Sequence, residues 1–377
     1  MAMKIVVSVH ENGLKRGRGG QKRQLGHKKR QKRGRGSQKR PQNVREGPGG
    51  LSNPGNVYNF AAKLLRMNHL GEIISLGVAV SWTITAWFAA KASLRVGAMV
   101  TNVLRLVLAT LFLGVLLWVT IGYPYPVYAD KDTWLWLGLS ALVGYVFGDY
   151  CLFNCYLYIG PRFGQLLMTL APPMAAIAGW MLLGETLGWK SILAMAVTLA
   201  GIGISIMSRD GEHHFKLDLP LKGVLLGIGA GIGQGVGLVL SKIGMQFYAE
   251  AIPSNAPSAM EAMLPFASTM MRAIIGGAGF LAILLLHKDF GRLRSAVKDP
   301  VAMKYASVIT LFGPVLGVSL SLMAVRYANA GVASTLMALT PVFIIVPEVL
   351  IEGKRIRFKE IAGLAVSIAG VALFFLL

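Results

Sequence analysis

Cysteine is nearly absent from this 377-residue chain: Cys151 and Cys155 are the only two. They lie in one apolar run, four residues apart, on one face of any helix formed there. That is poor geometry for a disulfide, so no disulfide framework holds the fold. A Cys-x3-Cys metal pair is one reading. A pair of small buried hydrophobes is the plainer one. Charge is also scarce, at 15% against the quarter usual in soluble domains. No phosphate-binding glycine loop with a following Lys-Ser/Thr is present, which excludes transport driven by the chain's own ATP hydrolysis. No zinc signature and no nucleophile–base constellation appears. The expectation is therefore no enzyme, no metal and no cofactor. His213 and His214 read as exposed loop histidines.

The sparse charge is unevenly placed. Residues 1–66 hold 17 of the 38 Lys and Arg and only two acids, Glu11 and Glu46, a net of +15. The rest holds 21 basic and 15 acidic residues, a net of +6. The tail from Lys15 to Arg40 is Lys, Arg, Gly and Gln without aromatics or periodicity, a composition that buries no core. It is not a secretory signal, since no short apolar run with a cleavage site follows.

Beyond the tail the sequence is mostly hydrophobic. Apolar runs fall near 72–91, 98–119, 133–157, 163–183 and 189–207, then near 221–243, 263–287, 302–325, 330–350 and 358–377. Each approaches the roughly 20 residues a helix needs to cross a bilayer. The expected fold is an all-α integral membrane protein of ten transmembrane helices. Trp134, Trp136, Tyr123 and Tyr125 cluster at one span edge, as interfacial aromatics do.

Sliding the chain by 169 residues lays one half over the other. Pro172 meets Pro341, Gly184 meets Gly353, Lys190 meets Lys359 and Gly201 meets Gly370. Gly144 and Gly148 meet Gly313 and Gly317, and Tyr158 meets Tyr327. With a slipped register Arg105 pairs with Arg272, and Lys91 with Lys242. Five spans per repeat is an odd number, so the halves insert upside down: two inverted five-helix repeats, 67–207 and 221–377, behind the tail 1–66. Loop charges agree. The loop after the first span has Lys91 and Arg95, whereas its counterpart at 244–262 has Glu250 and Glu261 and no base. The loop at 288–301 has four bases, whereas its counterpart at 120–132 has only Lys131. Placing the basic loops in the cytoplasm puts both termini outside. The basic tail argues the reverse. One resolution starts translation at Met67 or removes the tail.

The segments LGVAVSWTITAWFAAKAS, MVTNVLRLVLATLFLG and LAPPMAAIAGWMLLGETLGWKSILAMAVTLAGIGISI resemble the EamA-type family of the drug/metabolite transporter superfamily. The family features are Trp82 and Lys91 in the first span, Arg105 in the second, and a run from Pro172 to Gly184–Glu185 in the fourth. Lys242, Arg272, Pro341 and Gly353 repeat them, with Lys354 where Glu185 stands. The resemblance implies a ten-helix secondary transporter moving a small organic solute by alternating access. It does not name the solute. A flippase or channel on the same scaffold is the alternative. A membrane-anchored RNA- or anionic-lipid-binding protein acting through the tail is a further one, although the tail lacks aromatic stacking residues, so nucleic acid is not the expected partner. Proton coupling and a homodimer are both compatible. The expected location is the plasma membrane of a prokaryotic cell.

Charges inside spans are costly and so mark candidate sites. Asp149 and Arg105 lie at matched depth, roughly 12–13 Å from one membrane face at 1.5 Å per residue, and can pair. A structural ion pair is the plainer reading. Proton uptake by Asp149, or a solute that breaks the pair, is the functional one. The position equivalent to Asp149 is Val318, so Arg272 lacks that partner and could hold a carboxylate or phosphate; a bond to helix carbonyls, or snorkelling toward the outer surface, is the plainer reading. Trp82, Tyr150 and Asn154 could add stacking or polar contacts. Gln165, Thr169, Gln234 and Thr340 could bind solute hydroxyls or amides. Lys91 and Lys242 complete the solute-binding or coupling set. Pro172 and Pro341 are hinge candidates, because proline frees a carbonyl in the preceding turn.

Overall fold

In lipid, every backbone N–H and C=O has to be satisfied within its own segment, and for these apolar runs an α-helix does so. The computed structural model describes residues 69–207, 220–257, 259–344, 346 and 358–376. The tail, His213 and His214, Glu348, Glu352, Gly353 and the basic run from Lys354 to Arg357 lie outside the described residues. Among the described residues the chain is helical, with no strand.

Helix α1 (Leu70–Val96) ends at Gly97, and α2 (Ala98–Ile121) follows. Asp130 then caps α3 (Lys131–Ala141), its carboxylate accepting from the Thr133 amide at 2.8 Å. The chain widens into a π-helical segment, Leu142–Asp149, and continues as α4 (Tyr150–Leu167). Gly160, at φ 76°, breaks α4 ahead of Pro161, a conformation that glycine alone adopts readily. A 3-10 turn, Met168–Leu170, leads to α5 (Ala171–Leu183), and α6 (Trp189–Met207) follows.

The second set begins with α7 (Leu221–Ala251) and α8 (Ala259–Leu286). A short helix, α9 (Phe290–Lys298), precedes α10 (Pro300–Thr310), a second π-helical segment (Leu311–Val318) and α11 (Ser319–Tyr327). The chain ends with α12 (Ala330–Met337), α13 (Thr340–Phe343) and α14 (Phe358–Leu376). Pro172 and Pro341 each stand in the first turn of a helix, so neither costs an internal hydrogen bond there. Each marks a break in what the sequence suggests is one continuous span.

The 169-residue repeat reappears in the element bounds. α3 and α10 start at 131 and 300, the π-segments run 142–149 and 311–318, and α6 and α14 run 189–207 and 358–376. The N-caps Asp130 and Asp299 stand in the same relation.

Seven helices among the described residues are long and apolar enough to cross a membrane: 70–96, 98–121, 131–161, 163–183, 221–251, 259–286 and 300–327. The other three expected spans appear as shorter apolar helices at 189–204, 330–343 and 361–373. Large apolar side chains such as Leu111, Val119, Trp118, Trp180 and Met181 face outward, as a lipid solvent favours.

The two sets of helices interleave. α1 packs on α10, α11 and α12, while α7 packs on α3, α4 and α5. α2 lies against α8, and α6 against α14. The last contact is made by small residues. A Cβ on Gly201 would sit 2.4 Å from the Ser367 amide nitrogen, and one on Gly370 would sit 2.5 Å from that of Thr198. Positions 198 and 367 also differ by 169, so the crossing is nearly two-fold. Gly201→Ala and Gly370→Ala should each lower thermal stability in detergent by about 1–3 kcal/mol through overpacking. Gly203→Ala, with open space around its Cβ, should be neutral or add up to about 1 kcal/mol.

Asp299 does two jobs. It caps α10 through the Val301 and Ala302 amides at 3.0 and 3.2 Å, and it pairs with Arg95 of α1 at 2.5 Å. The hydrogen bond from Arg95 holds its carboxyl below the ordinary value of 3.8. A lowered carboxylate pKa gives stability that is complete above the ordinary value and is lost as pH falls through the folded one. Melting temperature followed from about pH 6 to about pH 3 should therefore fall less steeply in Asp299→Asn than in the wild type.

Candidate functional site

The first π-segment determines where the buried charges go. A π-helical turn takes up more residues than an α-turn, so side chains after it are rotated from their 3.6-residue positions. Asp149 ends this segment and is 5% exposed. Arg105 of α2, 4% exposed, pairs through Nη2 with Asp149 Oδ2, and its Nε donates to Asn102 Oδ1 at 2.8 Å. Gln234 of α7 donates to the other carboxylate oxygen at 2.6 Å and to the Gly144 carbonyl at 3.1 Å. Both Asp149 oxygens are thus engaged, by residues from the two sets of helices.

The aligned glycines make the room. A Cβ on Gly148 would lie 3.3 Å from Gln234 Nε2, and one on Gly144 would lie 3.0 Å from Arg272 Nη2. In the second π-segment a Cβ on Gly317 would lie 2.6 Å from Trp82 Nε1. The recurrence of these glycines is therefore a site feature as well as a packing one.

Around the pair lies a small, partly open cavity. Trp82, Thr85, Arg105, Tyr145, Asp149, Phe153, Tyr156, Gln165 and Gln234 line it. Gln165 Nε2 donates to the Tyr156 hydroxyl. The Arg105 guanidinium lies 4.8 Å from the Phe153 ring centroid and 5.7 Å from that of Tyr145. Arg272 lies 4.5 Å from the Tyr145 centroid. It is 3% exposed and so does not reach toward a membrane face.

Of the residues singled out from the sequence, Trp82, Arg105, Asp149, Gln165 and Gln234 come together on the cavity wall. Arg272 stands behind Tyr145. Lys91 is exposed, with its ammonium 4.8 Å from the Trp87 ring. Tyr150 packs among apolar side chains, and Asn154 donates to the Tyr150 carbonyl of its own helix. The hydroxyls of Thr169 and Thr340 likewise bond backbone carbonyls, those of Leu166 and Met337. Lys242 pairs with Glu185 at 2.5 Å, away from the cavity. Tyr145, Phe153 and Thr85 belong to the wall and were not singled out. Tyr145 precedes Asp149 by four residues, a spacing that would have pointed to it.

Asp149→Asn would leave Arg105 buried and unpaired. It should cost about 3–5 kcal/mol in thermal unfolding, and Arg105→Met/Asp149→Leu should recover much of that.

These helices, with buried charges facing a cavity between them, define a polytopic integral membrane protein with a polar interior site. Residues 69–207 and 221–376 both match the model of the EamA-like transporter family. The chain belongs to that family, and it is a membrane transporter. A solved structure titled only as a crystal structure of a protein matches at a TM-score of 0.58 and 17% identity, over 81% of this chain and 96% of that one, which supports the fold alone. Comparison with curated proteins finds no match.

Proposed function

We propose that this transporter is a secondary carrier: ten transmembrane helices in two inverted halves that move a small organic solute by alternating access. The observation that carries the reading is the Asp149 site. Its wall is drawn from both repeats, beside π-segments matched at 142–149 and 311–318. Inverted repeats with broken helices near mid-depth are the construction that rocking carriers use.

A cross-half contact supports a gate at one end. Lys242 bonds Glu185 at 2.5 Å and the Ala328 carbonyl at 2.9 Å, and Glu185 accepts from the Ala330 amide at 3.0 Å. The repeat places Lys91 and Lys354 at the corresponding positions, two cations that cannot form the pair. The two ends therefore carry different cross-half contacts, Glu185–Lys242 at one and Arg95–Asp299 at the other, and the more buried Glu185–Lys242 pair is the candidate gate.

Solute counterflow in proteoliposomes tests the carrier. Accelerated exchange under trans solute is expected, and flux indifferent to trans solute would indicate a channel instead. The gate has its own test, with Cys151 and Cys155 replaced and Ser241→Cys introduced beside Lys242. Glu185→Gln should raise its labelling by an impermeant maleimide severalfold, and Glu185→Lys/Lys242→Glu should restore protection. Equal labelling in all backgrounds would remove the gate.

A further inference from the structure

Helix α9 joins the span that ends at Leu286 to the one that begins at Pro300, so it stands at a membrane boundary. Ala296 is buried and Leu293 packs on the core, which seats α9 against α1, α2 and α10. Its C-cap, Asp299, is tied to Arg95 of α1. Phe290, Leu293 and Val297 share one face at i, i+3 and i+7. Phe290 and Val297 are nevertheless 51% and 53% exposed. Arg294 and Lys298 follow Phe290 at i+4 and i+8 and form the flank beside that apolar edge.

The cations of this segment outnumber their partners. Asp289 pairs with Arg292, and Asp299 with Arg95. Among the described residues no ion pair or hydrogen bond reaches the side chains of Lys288, Arg294 or Lys298. The repeat has no second α9. The caps Asp130 and Asp299 correspond, but residues 121–129, equivalent to α9, read IGYPYPVYA, carry no charge and form no separate helix. A connection between these spans therefore does not require α9. An exposed apolar edge beside unpaired cations, at the level where spans end, matches one neighbour: a leaflet whose acyl boundary takes the edge and whose phosphates meet the cations. We propose that α9 is a docking surface for anionic phospholipid, with Phe290 and Val297 in the acyl boundary and Lys288, Arg294 and Lys298 on the headgroups.

The test reads which lipid lies beside α9. Full-length protein, with Cys151 and Cys155 replaced by Ala and Val297→Cys labelled with bimane, is placed in phosphatidylcholine nanodiscs. A small, equal share of the lipid is doxyl-labelled phosphatidylglycerol or doxyl-labelled phosphatidylcholine. Quenching by phosphatidylglycerol should be the stronger by at least about threefold in low salt, since one cation near an acidic surface contributes on the order of fivefold. The excess should shrink in about 1 M salt, where charges are screened within about 3 Å. Lys288→Gln/Arg294→Gln/Lys298→Gln, which breaks no contact among the described residues, should abolish it. Residues 1–66 are present in every sample, so their charge does not separate the variant from the parent. Equal quenching by the two lipids would reduce the cations to signals of membrane orientation and overturn the proposal. An excess that survives the triple replacement would also overturn it. So would loss of the excess on adding inorganic phosphate at constant ionic strength, which would make a soluble anion the ligand.

Discussion

The close approach of α7 to the first π-segment is the contact on which the site depends. Gly233 and Gly237 of α7 meet Gly148 and Gly144 so tightly that an added Cβ on either α7 glycine would stand 2.8 Å from the facing Cα. In lipid there is little hydrophobic drive between helices, so such contacts come from dispersion and short-range polar bonds, and small residues permit both. Here the gap is narrow enough for Gln234 to reach Asp149 from the other half of the molecule. A side chain at Gly148 would push Gln234 away and leave one carboxylate oxygen unsatisfied. Packing and electrostatics are therefore one constraint at this point.

That constraint explains an asymmetry between the halves. The repeat keeps the glycines and the arginines, but Val318 stands where Asp149 would be expected. Arg105 consequently has an ion-pair partner and Arg272 does not. The same divergence occurs at a second pair: Glu185 meets Lys242 across the halves, whereas the repeat-equivalent positions hold Lys354 and Lys91. A carrier with two identical ends would have no preferred resting state. In the proposed carrier, ends with unlike contacts bias the equilibrium between its two conformations.

Much of this architecture was legible in the residues. Among the described residues the apolar runs located the helices, although the runs at 72–91 and 221–243 stop five and eight residues before their helices end at Val96 and Ala251. The repeat was legible through Pro, Gly and Lys, whose backbone or charge roles survive drift in the apolar positions. Asp149 and Arg105 stood out because ionised groups are rare in such segments. The details of the wall were less accessible. Tyr150 and Asn154 were singled out but lie off the wall, whereas Tyr145 and Phe153, four residues either side of Asp149, are on it. The pairing of Lys242 with Glu185 was hidden by distance along the chain, since 57 residues separate them and neither has a local partner.

The π-segments also suit the site mechanically. A wide turn leaves backbone carbonyls less tightly paired than an α-turn does, which is why such turns gather at functional positions. The Gly144 carbonyl illustrates this by accepting from Gln234, a side chain of another helix. The proposed alternating access, with one half rotating against the other, requires contacts that can be exchanged without unfolding a helix. A side-chain bond to a carbonyl at a π-turn meets that requirement, since water or a neighbouring N–H can replace it. The buried ion pair does not, because separating its charges in lipid is expensive. For the proposed carrier, motion about the glycine contact with Arg105 and Asp149 travelling together is the cheaper path.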